Sequence, residues 1–431
     1  GIYTRAISNY RPYGWGADLG TGEVVETQRV QNYLESLGVD GPIEDYNLES
    51  VWESNEYDPH IKIALGNVLD EAGNKTPELA EVDIAESSKG GTGPSGAASG
   101  MTGSGKSFLL RGYVLTAAMR YSPTRLNFIL MDFKGGATFI GMDRLPHVQA
   151  VITNLASEVE LLGRADAVIS GEILRREELI TKRAKAADID EYRKLRQRKP
   201  ELNLPALPNL VIVADEFREF IMNNREYLKL FESVSQVGRA LGMHLLLVSQ
   251  FIDETIIGTV KQNLTYGISL RVQSAAYSGV VIHSPAAAEL PLGNGDAYLY
   301  KQAPGPTGRE LTRFRGFNVL EPYNPPRVID GESAGDTAGI GASHRGGLAI
   351  QEAIAHADGS AVRVFSASND AARLVGVGRH AQGGEIATDF PVIADEGDGE
   401  IVGAGDDRRS HRDVIIERIT QTAQKPPHTL W

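Results

Sequence analysis

The sequence predicts an α/β fold in which helices flank a mostly parallel β-sheet. Short apolar runs that end in polar residues alternate with longer segments of helical character. This alternation is expected when each parallel strand is followed by a helix that returns the chain to the same edge of the sheet. A glycine-rich octapeptide at residues 100–107 also stands directly before an apolar, proline-free segment at 108–119. That order is typical of a loop that binds phosphate between a strand and a helix.

The octapeptide reads Gly-Met-Thr-Gly-Ser-Gly-Lys-Ser and fits the P-loop pattern G-x-x-x-x-G-K-[ST] without a mismatch. Its glycines allow backbone N–H groups to turn towards phosphate oxygens, and the next helix directs its positive N-terminal end at the same anion. We expect Lys106 to reach the β- and γ-phosphates of ATP and Ser107 to offer its hydroxyl to Mg²⁺. The alternative is a chance match in a chain with 47 glycines. The predicted nucleotide-binding residues are Gly100, Thr102, Gly103, Ser104, Gly105, Lys106 and Ser107.

A second motif lies about a hundred residues downstream. The apolar run 210–214 is followed by Asp215 and Glu216, and catalytic residues are common at the carboxyl end of a buried parallel strand. We expect Asp215 to hold the Mg²⁺ shell and Glu216 to polarise the attacking water. The alternative is an ordinary acidic end to a buried strand. A P-loop and an Asp-Glu pair together predict a site for ATP hydrolysis.

Further runs complete the predicted sheet. Residues 126–131 precede Asp132, residues 244–249 precede Gln250, and 266–272 form another strand, with helices at 159–185 and 227–240. Gln250 is placed to sense the γ-phosphate or the attacking water; the alternative is a polar strand end that faces solvent. The strand before the P-loop, 95–99, contains small residues with poor β-propensity. We assign it as a central strand between helices.

Composition and charge divide the chain into three parts. Residues 1–60 have a net charge of −8 and contain a predicted helix at 27–37, whereas residues 91–320 sum to +5 and residues 321–431 to −7. We therefore predict an acidic N-terminal connector (1–60), a P-loop domain with a leading hairpin around residues 71–74 (61–323), and a strap or linker rich in Gly, Ala and acidic residues (324–431). The absence of cysteine excludes disulfides, and no apolar run reaches the length of a transmembrane helix.

Two stretches give the sequence a specific resemblance: Asp132–Gly136 and Gly238–Leu245. They resemble the FtsK/SpoIIIE family of ring-forming motor ATPases, which implies a RecA-like fold. Other stretches are similar to the EccC group of that family, from the actinobacterial type VII secretion system, and above all to its first ATPase domain. These stretches are Val82–Ser87, Phe133–Phe139, Leu145–Val148, Ile152–Leu155 and Ala288–Pro291.

The resemblance implies more than the motifs do. It implies a cytoplasmic domain of an inner-membrane-associated complex, joined to the membrane through helices upstream, with other EccC ATPase domains, membrane components and small secreted proteins as partners. It also implies a homo-oligomeric ring in which Arg164 acts on the nucleotide of a neighbouring subunit; alternatively, Arg164 pairs with an acid on its own helix. The chain opens on Gly1 rather than Met, so we expect a fragment of a longer protein, with a second ATPase domain to follow.

Two other functions remain open. A DNA translocase would share the core motifs, but the acidic flanks do not attract DNA over a distance, and we expect no nucleic-acid partner. A weakly hydrolysing regulatory module is favoured by one departure: Ser278-Gly279 stands where these ATPases have a Ser-Arg pair.

Overall fold

A computed structural model describes residues 33–39, 41–135, 137–153, 159–253, 257–302, 308–323, 362–364 and 409–424. The strands are β1 (Lys62–Leu69), β2 (Lys75–Asp83), β3 (Ser95–Ser99), β4 (Leu126–Asp132), β5 (Val148–Thr153), β6 (Asn209–Asp215), β7 (Met243–Ser249), β8 (Tyr266–Leu270), β9 (Asp296–Gln302), β10 (Arg309–Gly316) and β11 (Val362–Val364). The α-helices of the described part are α1 (Tyr33–Ser36), α2 (Leu48–Asn55), α3 (Lys106–Arg120), α4 (Val159–Glu177), α5 (Ile189–Arg198), α6 (Phe217–Asn223), α7 (Leu228–Leu241), α8 (Ala275–Ile282) and α9 (His411–Gln424).

All of these strands join one sheet in the order β11-β5-β4-β6-β7-β3-β8-β9-β10-β1-β2. The strands at the centre of this order are parallel, namely β5, β4, β6, β7, β3 and β8. This arrangement confirms the predicted α/β fold. Antiparallel strands extend both edges: β9, β10, β1 and β2 on one side, and β11 on the other. Because the parallel strands share their direction, their carboxyl ends meet at one edge.

The central strands are buried on both faces because helices cover each face. In β6, Val211 and Val213 pack towards α3, whereas Ile212 and Ala214 pack towards α4, α6 and α7. This alternation follows from the two-residue period of a strand. The continuous apolar run that predicted the strand is therefore explained by the two covered faces.

The strand with the weakest sequence signal, β3, is present as predicted. All five residues are buried between β7 and β8. A Cβ on Gly96 would lie 2.2 Å from the Tyr266 ring, so the small residues reflect close packing rather than strand propensity. The hairpin of β1 and β2 is also confirmed. Strands β5, β9, β10 and β11 were not predicted.

Described parts of both flanks pack into the core of the P-loop domain. The Trp52 indole of α2 donates to the carbonyl of Ala118 at 3.1 Å, and the Tyr33 hydroxyl contacts that of Thr116 at 3.2 Å. The predicted helix at 27–37 is described only as α1, and its remainder lies outside the described residues. The three-part division of the chain stays a prediction. None of the described helices is both long and apolar enough to cross a bilayer.

Helix α9 lies within the region predicted as a linker, yet its apolar face is buried in the same core through Val414, Ile415, Ile416 and Ile419.

We expect Ile415→Ala to lower the free energy of unfolding by about 2–4 kcal/mol, because the side chain is fully buried. Glu417→Ala, at a half-exposed position that pairs with Arg409, should change it by less than about 0.5 kcal/mol. Urea denaturation measures both. Equal, small effects would show that α9 is not part of the folded core.

Candidate active site

A cavity of about 570 Å³ opens at the edge where the parallel strands end. The loop from β3 to α3 forms its floor, and the ends of β4, β6 and β7 form one wall. Segments 293–295 and 316–318 form the opposite wall. The fold therefore places the predicted motifs around a single cavity at the carboxyl ends of the strands.

Two glycines of the P-loop have backbone conformations that other residues adopt only under strain. Gly103 has φ +80° and Gly105 φ +101°, both in the left-handed region. Helix α3 begins directly afterwards, at Lys106. Thr102, Gly103, Gly105, Lys106 and Ser107 line the cavity, which presents the N-terminus of α3 and its free N–H groups to a ligand.

Gly100 and Ser104 do not line the cavity but shape the loop beneath it. A Cβ on Gly100 would lie 2.6 Å from Ser104 Oγ, so this glycine permits close packing. Ser104 is buried, and its hydroxyl has no hydrogen-bond partner within the described part of the chain.

Lys106 connects the P-loop to both acids at the end of β6. Its Nζ donates to Asp215 Oδ1 at 2.7 Å and to Glu216 Oε1 at 2.6 Å. Burial alone lowers the pKa of Lys106, but the two carboxylates outweigh it, and the net pKa is raised. Burial raises the pKa of Asp215, and its bonds to Lys106 and Thr138 offset only part of this effect. The ammonium therefore holds two buried carboxylates close together.

Thr138 is a site residue that the motifs did not predict. Its hydroxyl donates to Asp215 Oδ2 at 2.9 Å and lies 3.4 Å from Ser107 Oγ. Both oxygens of Asp132 accept backbone N–H groups, from Lys134 and Thr138, which fixes the loop. The signal was present in the sequence, because Thr138 lies within the family-like stretch 133–139.

Glu216 and Gln250 directly follow the neighbouring strands β6 and β7, and their side chains contact each other. Gln250 Nε2 donates to Glu216 Oε1 at 3.3 Å, and both residues line the cavity. Glu216 has φ +55° at the residue before α6. This conformation is strained for a residue with a side chain, and such strain is concentrated at functional sites.

Arg164 lies apart from this cluster. It is exposed on α4 and does not line the cavity. The remaining predicted residues lie in the P-loop, at the end of β6 or directly after β6 and β7, and they meet at the cavity or directly beneath it.

The donor set fits Mg²⁺ and a nucleotide. The side-chain oxygens of Ser107 and Asp215 both lie within hydrogen-bond distance of the Thr138 hydroxyl, and oxygen ligands are those that Mg²⁺ prefers. Ser107 and Asp215 would hold the ion, which would supply positive charge against that of the phosphates. The two positive-φ glycines and the N-terminus of α3 suit the phosphates.

The far wall, which the sequence did not predict, contains Gly293, Asn294, Gly295, Gly316, Phe317 and Asn318. Ion pairs between the adjoining strands stabilise this wall. The buried carboxylate of Asp296 in β9 accepts hydrogen bonds from Arg313 at 2.8 Å and from Arg315 at 2.6 Å, both in β10. The wall forms only when β9 and β10 pair, so no local motif marks it.

Residues 73–253 match the model of the FtsK/SpoIIIE family. This P-loop domain belongs to the FtsK/SpoIIIE family. Within that family, the chain is 42% identical over 290 residues to the ESX secretion system protein EccC of Thermomonospora curvata, covering 67% of this chain and 21% of that protein. It is 37% identical over 299 residues to the ESX-4 secretion system protein EccC4 of Mycobacterium tuberculosis, covering 68% of this chain and 23% of that protein.

A solved structure gives the same result. The cytoplasmic domain of the T. curvata type VII secretion ATPase EccC superposes with a TM-score of 0.62 at 39% identity, covering 69% of this chain and 33% of that one. The predicted resemblance is therefore confirmed. The chain spans between a fifth and a quarter of the length of these two curated relatives.

Proposed function

We propose that this chain is an ATP-binding and ATP-hydrolysing motor domain of a type VII secretion ATPase of the EccC kind. One observation carries the proposal: Lys106 of the P-loop contacts both Asp215 and Glu216 inside the cavity. This contact supports one site for the groups that we propose to bind phosphate, hold the metal and activate water. The relatives, which are secretion-system proteins by name, supply the biological setting.

The chemistry follows from the contacts of each side chain. The ammonium of Lys106 can exchange its carboxylate partners for phosphate oxygens, a charge-assisted contact of the same kind. Glu216, then released, can accept a hydrogen bond from a water molecule and orient it for attack. Gln250 is within reach of the same carboxylate and can hold that water from the other side.

We infer one orientation of the nucleotide from the position of the acids. The acids mark the end of the cavity at which the γ-phosphate reacts, so the base and sugar would point to the wall of segments 293–295 and 316–318. Three glycines line that wall, which leaves backbone N–H and C=O groups accessible to a flat base. The amide of Asn294 is exposed on the same wall.

The wider assembly is inferred from the relatives. We propose that the domain lies in the cytoplasm, beside other EccC ATPase domains and the membrane components of its secretion system, and gates or drives export of small secreted proteins. In a homo-oligomeric ring, Arg164 would contact the γ-phosphate bound by a neighbour, as arginine fingers do. Its exposed position on α4 supports a role between subunits rather than within its own site.

ATP turnover by the purified 431-residue chain with Mg²⁺ tests this function. We expect turnover that does not depend on nucleic acid, because the flanks are acidic and repel phosphate backbones. The matched measurement adds duplex DNA at low and high salt. Turnover stimulated by DNA, together with salt-dependent binding, would instead favour a DNA translocase.

A further inference from the structure

Three side chains form a stack around Phe251, the residue that follows the predicted sensor, Gln250. The Phe251 ring contacts the guanidinium of Arg218, 4.1 Å from the ring centroid, and stacks on the ring of Tyr277, with centroids 4.9 Å apart and planes at 30°. Arg218 comes from the first turn of α6, Phe251 from the segment after β7, and Tyr277 from α8. The stack therefore connects three separate elements of the fold at one edge of the active site.

The guanidinium is held in place over the ring. Arg218 Nε donates to Asp253 Oδ2 at 3.1 Å, and both side chains are less than one-third exposed. Between these contacts, Ile252 is buried in the core. Three successive residues after Gln250 are thus fixed by a ring contact, by core packing and by an ion pair. A guanidinium that stacks on an aromatic ring is attracted to the face of the ring, and this attraction adds to that of its ion pair.

The sequence positions connect this stack to the reaction centre. Arg218 is two residues after Glu216, and Phe251 is one residue after Gln250. The contact between these two active-site residues is long, at 3.3 Å, and no other side-chain hydrogen bond within the described chain holds Gln250. The distance between the start of α6 and the end of β7 therefore decides whether Gln250 reaches Glu216. Beyond the paired strands, the stack joins the side chains of these two segments.

We propose that Arg218, Phe251 and Tyr277 are positioning residues that hold Gln250 against Glu216 and thereby set the rate of ATP hydrolysis. None of the three lines the cavity, so they act on the reaction through Gln250 rather than on the nucleotide. The proposal rests on the proposed ATPase function. It extends that function to a network in which α8 contributes to the geometry of the active site.

The test separates turnover from binding. Phe251→Leu keeps an apolar side chain of similar volume but removes the ring, and should lower kcat by about tenfold, since a small misplacement of an orienting group costs this much or more. The Kd for ATP should stay within about twofold, because no nucleotide contact changes. Phe251→Tyr retains the ring and should keep wild-type turnover. Tyr300→Leu is the matched control: it breaks the contact of Tyr300 with His283, centroids 4.7 Å apart, at the other end of α8.

A double-mutant cycle decides whether the effect passes through Gln250. In a Gln250→Ala background, Phe251→Leu should change kcat by less than about twofold, because the group that it positions is already absent. Full additivity would overturn the proposal, as would unchanged turnover in Phe251→Leu alone.

If Phe251→Leu fails to fold, Arg218→Met, on the partly exposed side of the stack, takes its place in the same cycle. A wild-type chain without turnover would overturn the proposed function and this inference together, whereas normal wild-type turnover with no effect of the variants overturns the inference alone.

Discussion

Glu216→Gln is expected to abolish most ATP turnover while ATP binding remains nearly intact. The amide keeps the size of the side chain, and its oxygen can still accept from Lys106 and Gln250, which donate to Oε1 in the structure. It has lost the negative charge that orients water, so we expect turnover to fall by about 10²- to 10⁴-fold. ATP affinity should change by no more than about threefold, on the order of 0.7 kcal/mol.

Steady-state phosphate release and nucleotide titration measure the two quantities separately. Glu226→Gln is a matched control, because it makes the same chemical change at an exposed position outside the cavity. Normal turnover in Glu216→Gln would remove this residue from the reaction. If the wild-type chain binds ATP without measurable turnover, the weakly hydrolysing regulatory module is the better description.

The same variant tests Arg164. Glu216→Gln chains should retain ATP at their own site, and Arg164→Ala chains should lack the group that reaches a neighbour. In a mixed ring, some interfaces combine both defects and others combine neither. Turnover in the mixture above the sum of the separate variants supports a site shared between subunits. Co-assembly without recovery would assign Arg164 to the surface of its own helix.

The sequence predicted the part of the site that depends on contiguous motifs. The P-loop, Asp215 and Glu216 each lie at a strand end, and a parallel sheet brings such ends to one edge. Thr138 was not predicted, because its role depends on the loop that Asp132 folds through two backbone hydrogen bonds. Only the three-dimensional course of that loop places its hydroxyl between Ser107 and Asp215.

The rest of the fold depended on contacts between distant residues. Strands β9 and β10 contain charged residues rather than apolar runs, and their pairing brings Arg313 and Arg315 to the buried Asp296. The far wall of the cavity could not be predicted without that pairing. Similarly, α9 follows a long stretch rich in Gly, Ala and acidic residues, so local composition predicted a linker. Its apolar face is recognisable only together with the surface of α3 that it covers.

Replacing Lys106 is expected to have the other large effect, on both binding and stability. Lys106→Met should weaken ATP binding by about ten- to a hundredfold, because it removes a charge-assisted contact to the phosphates worth about 1.5–3 kcal/mol. It should also destabilise the fold. The ammonium lies between two carboxylates whose side chains are 3% and 9% exposed, and breaking a buried ion pair costs about 3 kcal/mol or more.

The stability loss should depend on pH in a defined direction. Burial already raises the pKa of Asp215 in the folded chain, and without Lys106 it rises further. A carboxyl group whose folded pKa is raised destabilises the fold above its unfolded pKa of about 3.9, and this penalty disappears as the pH falls below that value. The difference in free energy of unfolding between wild type and Lys106→Met should therefore be largest at pH 8 and narrow towards pH 4.

Denaturant unfolding across this pH range gives the difference directly. Lys134→Met is the matched control: Lys134 also lines the cavity, but it and its partner Glu219 are about half exposed, so its stability loss should stay below about 0.5 kcal/mol at every pH. Lys106→Met combined with Asp215→Asn should recover part of the lost stability, because one of the uncompensated charges is then absent. A loss that does not change with pH would show that the Lys106 stem stabilises the fold by packing. Unchanged ATP affinity in Lys106→Met would exclude the P-loop as the nucleotide site.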